Sequence, residues 1–147
     1  MATLWLQDLA NLPKPSGNNR PPPLRRKPLF CLTSLQSAIR LGTLGTDAVF
    51  LATTDCRSDL GRRLRWTLQD LLDYLTCLRA FDQKAAHDFL KAEWCKDSGG
   101  RWHACDSYAM HYDKARKCRD AKALNIYLKF SIEEDDSVLL VVISAHD

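Results

Sequence analysis

The sequence predicts an α/β domain of the α+β type, with about three helices packed on one face of a mainly antiparallel sheet. Three observations carry this prediction. Apolar residues recur at helical spacing through the first half, switch to strict alternation over residues 124–132, and then form an unbroken apolar, mainly β-branched run over 138–143. A chain of 147 residues holds one domain, and 46% hydrophobic with 27% charged residues gives it enough apolar surface for a core. That composition excludes wholesale disorder and a coiled coil.

Residues 1–28 read as an N-terminal arm, extended or disordered, and residues 29–147 as the domain. All 6 prolines fall within 13–28, interspersed with Lys and Arg, and proline clusters favour solvated polyproline geometry over packing. Ahead of them, Leu4, Leu6, Leu9 and Leu12 with Trp5 suit a short helix that docks on the domain or on a partner. Leu35, Ala38 and Ile39 predict a first helix over 33–41, stopped by Gly42. Thr46 as cap, Val49, Phe50 and Ala52 on one face and Gly61 as terminator predict a second over 46–60. A third runs over about 67–78, where Thr67 and Asp70 form a capping box ahead of Leu71, Leu72, Tyr74, Leu75 and Leu78.

Residues 101–113 read as a strand, with Trp102, Ala104, Tyr108, Met110 and Tyr112 on one side and His103, Cys105, Ser107 and His111 on the other. Leu124, Ile126, Leu128, Phe130 and Ile132 alternate with polar residues, and the acidic stretch 133–136 turns this strand back onto 137–145. A hairpin symmetric about Asp135 and Asp136 sets Tyr127 opposite Ser144, Asn125 opposite His146 and Lys129 opposite Val142. Those six then share one face, and the other face is apolar. A slip of one residue would divide them.

Charge and cysteine usage narrow the function. The 21 Lys and Arg all lie in residues 1–130 against 13 acids, while 131–147 holds five acids and no base. A basic body suits a phosphate-bearing partner, or is simply a cationic surface. Two clusters stand out: Arg57, Arg62, Arg63 and Arg65 in one expected loop, and Lys114, Arg116, Lys117 and Arg119 in another. Either cluster fits a nucleic-acid backbone or a solvated turn. The longest apolar run is far short of the ~18–20 residues of a membrane span, and the N-terminus lacks a basic segment ahead of an apolar one, so a cytoplasmic protein with no membrane partner is expected. In that compartment the 6 cysteines are read as reduced thiols. A zinc set drawn from Cys95, His103, Cys105, His111 and Cys118 lacks the tight ligand pairs of structural sites, so no cofactor is expected.

The order and spacing of Asp88-Phe89-Leu90-Lys91, Trp102, Asn125-Ile126-Tyr127-Leu128-Lys129 and Val141-Val142-Ile143-Ser144 resemble the MqsR family of toxins over roughly residues 27–147. The resemblance implies a RelE-like fold, metal-independent cleavage of mRNA, and a cognate antitoxin as partner. It carries catalytic roles to Lys91, Tyr127 and His146, the last standing where the family has Lys, and sets His103 where the family has Gln. The family pattern W-Q-D-x-Y is replaced by Trp102-His103-Ala104-Cys105-Asp106-Ser107-Tyr108, and its ending S-F-K-E by Ser144-Ala145-His146-Asp147.

The chemistry stands on its own terms. RNA brings its own nucleophile, the 2′-hydroxyl, so a metal-free enzyme needs a base, a cation for the phosphorane and an acid for the leaving oxygen. His146 supplies acid or base near neutral pH, Lys91 a cation, and Tyr127 a phenol to orient the 2′-hydroxyl or phosphate. His103 is a second candidate base, His111 a spare, and His87 a surface residue. Lys129 joins Arg62, Arg63, Arg65, Lys114, Arg116, Lys117 and Arg119 as candidate RNA-binding cations. Two other readings remain: an inactive RNA- or protein-binding module of the same fold, and a zinc-stabilised interaction protein that a chelator would unfold.

Overall fold

A computed structural model describes residues 4–17, 20–24, 26–134 and 137–147. Three α-helices and six strands are found among them: α1 (Leu32–Arg40), β1 (Val49–Leu51), α2 (Thr54–Ser58), α3 (Leu68–Cys77), β2 (Phe89–Lys96), β3 (Trp102–Asp113), β4 (Cys118–Arg119), β5 (Asn125–Glu134) and β6 (Val138–His146). The main sheet runs β1-β6-β5-β3-β2, with β4 paired only to β3. β1 lies parallel to β6 and every other pairing is antiparallel. The expected mixed α/β architecture is therefore present.

Helix α3 begins where the capping box predicts. Thr67 Oγ1 accepts from Asp70 N, and Asp70 Oδ2 accepts from Thr67 N, satisfying two donors at the helix start. Its Leu71, Leu72, Tyr74 and Leu75 are buried with Leu35 of α1 against Ile126, Leu128, Phe130 and Ile132 of β5. The Tyr74 hydroxyl donates to the Ile126 carbonyl at 2.6 Å, and Trp66, Tyr74 and Tyr112 pack edge to face.

The second predicted helix is replaced by three shorter pieces. Residues 46–48 form a 3₁₀ turn, 49–51 are strand, and α2 starts only at Thr54. Without β1 the outer edge of β6 would be left unpaired. The working cap is Thr53, whose Oγ1 accepts from Cys56 N while donating to the Ile143 carbonyl at 2.8 Å. Beyond α2 the chain continues as a π-helical segment, Asp59–Leu64, ended by Arg65 in the left-handed region at φ 56°. Arg62 and Arg63 therefore stand on a helical turn instead of a loop.

Residues 4–12, read above as part of an arm, are seated on the domain. Leu4 and Leu12 join the core, Trp5 bridges to Phe30, and Leu4 N and Leu6 N donate to Glu134 Oε1 and the Leu29 carbonyl. In place of the expected short helix there is a bridge followed by one 3₁₀ turn at Leu9–Asn11. The segment it meets, Leu29 and Phe30, is anchored by Asp106, whose carboxylate accepts from Leu29 N at 2.9 Å and Phe30 N at 3.1 Å.

Asp106 has no exposed surface. Burial pushes its carboxyl up to about 7, against the pull of the two N–H donors. A raised carboxylate pKa favours the protonated native state, so folding stability is full below about pH 4. It declines as pH rises through about 7, by on the order of 4 kcal/mol for this one group. Urea midpoints at pH 5 and pH 8 should show this decline in the wild type and a flatter profile in Asp106→Asn.

Two features shape the other face of the sheet. The turn between β2 and β3 reaches over it to the far edge, where Ser98 N donates to the Ala52 carbonyl and Ser98 Oγ accepts from Thr54 N. The sheet is thus closed at that end over a small apolar cluster of Ala52, Cys105, Val141 and Ile143. At the opposite end the face stays open.

Candidate active site

The open end is built by the β5–β6 hairpin and the middle of β3. Its register departs from the symmetric expectation twice. The turn residues Asp135 and Asp136 lie outside the described residues, but beside them Ile132 pairs with Leu140 and Glu133 with Leu139, one residue away from the expected pairing. That slip turns Leu139 and Val141 onto the face of Glu133 and Ser131, where they join the small apolar cluster. A bulge after Lys129 then adds a second residue, so that Lys129 pairs with Ser144 and Tyr127 with His146. Two single-residue shifts restore parity. Tyr127, Lys129, Ser144 and His146 share one face after all, and Tyr127 meets His146 directly instead of diagonally.

Reading across the strands gives two rows. Lys91, Ser107, Lys129 and Ser144 stand abreast on β2, β3, β5 and β6; the next row is Ala109, Tyr127 and His146. The Tyr127 and His146 rings are parallel, with centroids 5.5 Å apart and planes within 1°. Tyr127 is 39% exposed. His146 Nδ1 donates to the Asp147 main-chain oxygen at 3.1 Å, which in the neutral ring puts the lone pair on Nε2.

Lys91 stands on β2, a strand whose alternation is broken by a bulge between Phe89 and Lys91. Glu93, one turn of the pleat below, binds both lysines: Lys91 Nζ lies 3.3 Å from Glu93 Oε2, and Lys129 Nζ contacts Glu93 Oε1. Burial opposes the charge on Glu93, but hydrogen bonds from Lys129 and Lys91 outweigh it and hold the carboxyl below its usual range. Burial likewise opposes the Lys129 charge, and Glu93 raises its pKa on balance. Two cations against one anion leave this floor net positive.

His103 is not brought to this place. Six residues separate it along β3 from Ala109, the neighbour of Tyr127, which is about 20 Å at strand rise. It is 6% exposed under the β2–β3 turn, with Nε2 bonded to Asp97 Oδ2 at 2.9 Å and Nδ1 3.7 Å from Glu133 Oε1. The His103 hydrogen bond holds the Asp97 carboxyl low, so the pair buckles the turn onto the sheet. His111 lies closer to the site. It pairs with Asn125 one row beyond Tyr127, is exposed, and donates from Nδ1 to the Ala123 carbonyl at 2.9 Å. Alternation along β3 had already set His111 and His103 on one face; only the pairing of β3 with β5 distinguishes them. His87, expected at the surface, is half-buried against Phe81 at 4.9 Å.

The basic residues divide in the same way. Arg62 and Arg63 are exposed, and Arg63 Nη2 lies 3.4 Å from Asp147 Oδ1, beside His146. Lys114 donates to the Arg65 carbonyl and lies 3.8 Å from Asp70, Lys117 lies 3.4 Å from Asp73, and Arg116 lies 3.9 Å from Asp113. Arg119 makes a two-pronged bond to Asp88 at 3.0 and 2.5 Å. The expected basic loop is therefore largely paired with acids of α3 and its surroundings.

The five zinc candidates do not converge: Cys95 and Cys105 sit at the closed end near His103, while His111 and Cys118 belong to the other end of β3. Among the described residues no group of three or more His, Cys, Asp or Glu is arranged to hold a metal, and no helix is long and apolar enough to cross a membrane. What fold and site define is an α+β domain whose sheet presents a phenol, an imidazole and two lysines on one face. Set against protein-family models, curated proteins and solved structures, the chain matches none.

Proposed function

We propose that this protein is a metal-independent endoribonuclease, a RelE-like toxin of the MqsR type that cleaves mRNA and is restrained by a cognate antitoxin. The observation that supports it most is the parallel stack of Tyr127 on His146 beside the Lys91–Glu93–Lys129 floor. His146 Nε2 takes the proton of the RNA 2′-hydroxyl, whose oxygen attacks the adjacent phosphorus. The bond to the 5′-oxygen breaks, leaving a 2′,3′-cyclic phosphate and a 5′-hydroxyl. Lys129 and Lys91 offset the charge growing on the phosphorane, and Tyr127 orients the ribose-phosphate link. His111, on the other flank of Tyr127, is the candidate acid for the leaving oxygen, and His103, expected as a second base, takes no part. Arg62 and Arg63 are the cations placed to hold the RNA strand further along.

Purified protein in excess EDTA should cut a single-stranded RNA and leave cyclic-phosphate and 5′-hydroxyl ends. Cleavage only on adding a divalent metal, or RNA bound but left intact, would overturn the enzymatic reading; the second result would assign the chain to RNA-binding modules. Unfolding by EDTA would point to a zinc-stabilised protein.

A further inference from the structure

On the helix side of the sheet, opposite the face of Lys91 and Lys129, a cavity of about 410 Å³ opens between the N-terminal segment, the start of α1 and the loop after α3. Its size suits a small ligand. Leu6, Pro28, Phe30, Leu32 and Phe81 make its walls apolar, and Lys27 is the one charged residue of its described lining. A reactive thiol and an unused hydroxyl both line it. Cys31 is the N-cap of α1 and half-buried; Ser34 Oγ donates to its Sγ at 3.1 Å, and Thr33 Oγ1 lies 3.4 Å away. Burial pushes the thiol pKa up, but hydrogen bonds from Ser34 and Thr33 outweigh it and bring it below the usual cysteine value. The positive end of the helix favours the thiolate further.

Tyr108, on the opposite wall, is only 1% exposed, and among the described residues its hydroxyl has no hydrogen-bond partner. Burial above all, then the charges of Asp106 and Cys31, holds the phenol protonated, so it offers a free O–H donor to an occupant of the cavity. We propose that this cavity is a covalent capture site for an apolar α,β-unsaturated carbonyl compound, with Cys31 as the nucleophile and Tyr108 as the donor to the carbonyl oxygen. The Cys31 sulfur bonds to the β-carbon, the C=C π pair moves toward the carbonyl oxygen, and Tyr108 hydrogen-bonds the enolate so formed. The α-carbon then takes a proton from water, equal to the one the thiol gave up. A thioether results; nothing leaves and nothing is oxidised. A charged reagent such as glutathione disulfide would lose its water against these apolar walls without replacement. The inference is independent of the nuclease reading.

The test reacts the full chain at neutral pH with hexyl vinyl ketone and locates the thioether by peptide mass spectrometry. The first adduct is expected on Cys31, about tenfold faster than on Cys118, although Cys118 is the more exposed thiol. Methyl vinyl ketone, too short to cover the apolar walls, should lose most of that preference. Tyr108→Phe keeps the ring and should slow the ketone reaction at Cys31 about tenfold, while alkylation of the same thiol by iodoacetamide, which builds no enolate, stays at the wild-type rate. Cys31→Ser should abolish the fast phase. First reaction at another cysteine, equal slowing of both reagents by Tyr108→Phe or no slowing of either, or glutathione disulfide consuming Cys31 faster than the ketone would overturn the proposal.

Discussion

His146→Ala and Tyr127→Phe should each slow RNA cleavage about 10²-fold or more without altering the thermal transition. The rate effect follows from what each group does. An imidazole acting as base contributes ~10²–10⁴ to proton transfer, and no other imidazole lies in its row. The stability effect follows from exposure. His146 bonds only to the neighbouring Asp147 main chain, and the Tyr127 hydroxyl is at an exposed face, so neither change opens a cavity. A contrasting pair separates chemistry from scaffolding. His111→Ala should lower the cleavage rate with little change in stability, because its ring is exposed. His103→Ala should lower stability by removing the buckle between Asp97 and Glu133, while leaving the rate of the folded fraction unchanged. Unchanged cleavage in both His146→Ala and Tyr127→Phe would remove the mechanism, whatever the fold does.

Arg119→Ala should cost about 3 kcal/mol of folding stability, read as a fall in the denaturant midpoint, and leave RNA affinity in the folded protein nearly unchanged. Asp88 has only 7% of its side chain exposed, whereas Arg119 has 31%. Removing the guanidinium would strand a buried carboxylate that otherwise receives two charge-assisted bonds and Arg79 N at 2.6 Å. Water admitted beside the truncated side chain keeps the loss at the lower end of what breaking a buried pair costs. The Asp88 main chain also pairs with Arg79 and Ala109, so the cost falls on the stability of the loop leading into β2. A large drop in RNA affinity with unchanged stability would return Arg119 to the role of a phosphate contact.

Much of this arrangement was legible from local pattern. The Thr67–Asp70 capping box and the leucines after it are a short-range signal, and α3 forms where they indicate. The alternation of β5 and the apolar run of β6 were equally plain, since a half-buried strand repeats every two residues. β2 was not visible, because a bulge breaks its alternation and Lys91 and Glu93 stand on a face that looks polar until their ion pair is seen. β1 was read as helix because three residues carry no period, and only the unpaired edge of β6 selects strand there.

By itself, the sequence determined α1, α3, β3, β5 and β6, that the hairpin has one apolar face, and that a phenol, an imidazole and a lysine are available on it. Those follow from propensity and period, which act over a few residues. The tertiary structure alone decided which of these groups meet. The two compensating register shifts that set Tyr127 against His146, the choice of His111 over His103, and the capture of Arg119 by Asp88 all join residues far apart in the chain. Each depends on packing and on the pairing of buried charge, and those energies are not written in any single stretch of sequence.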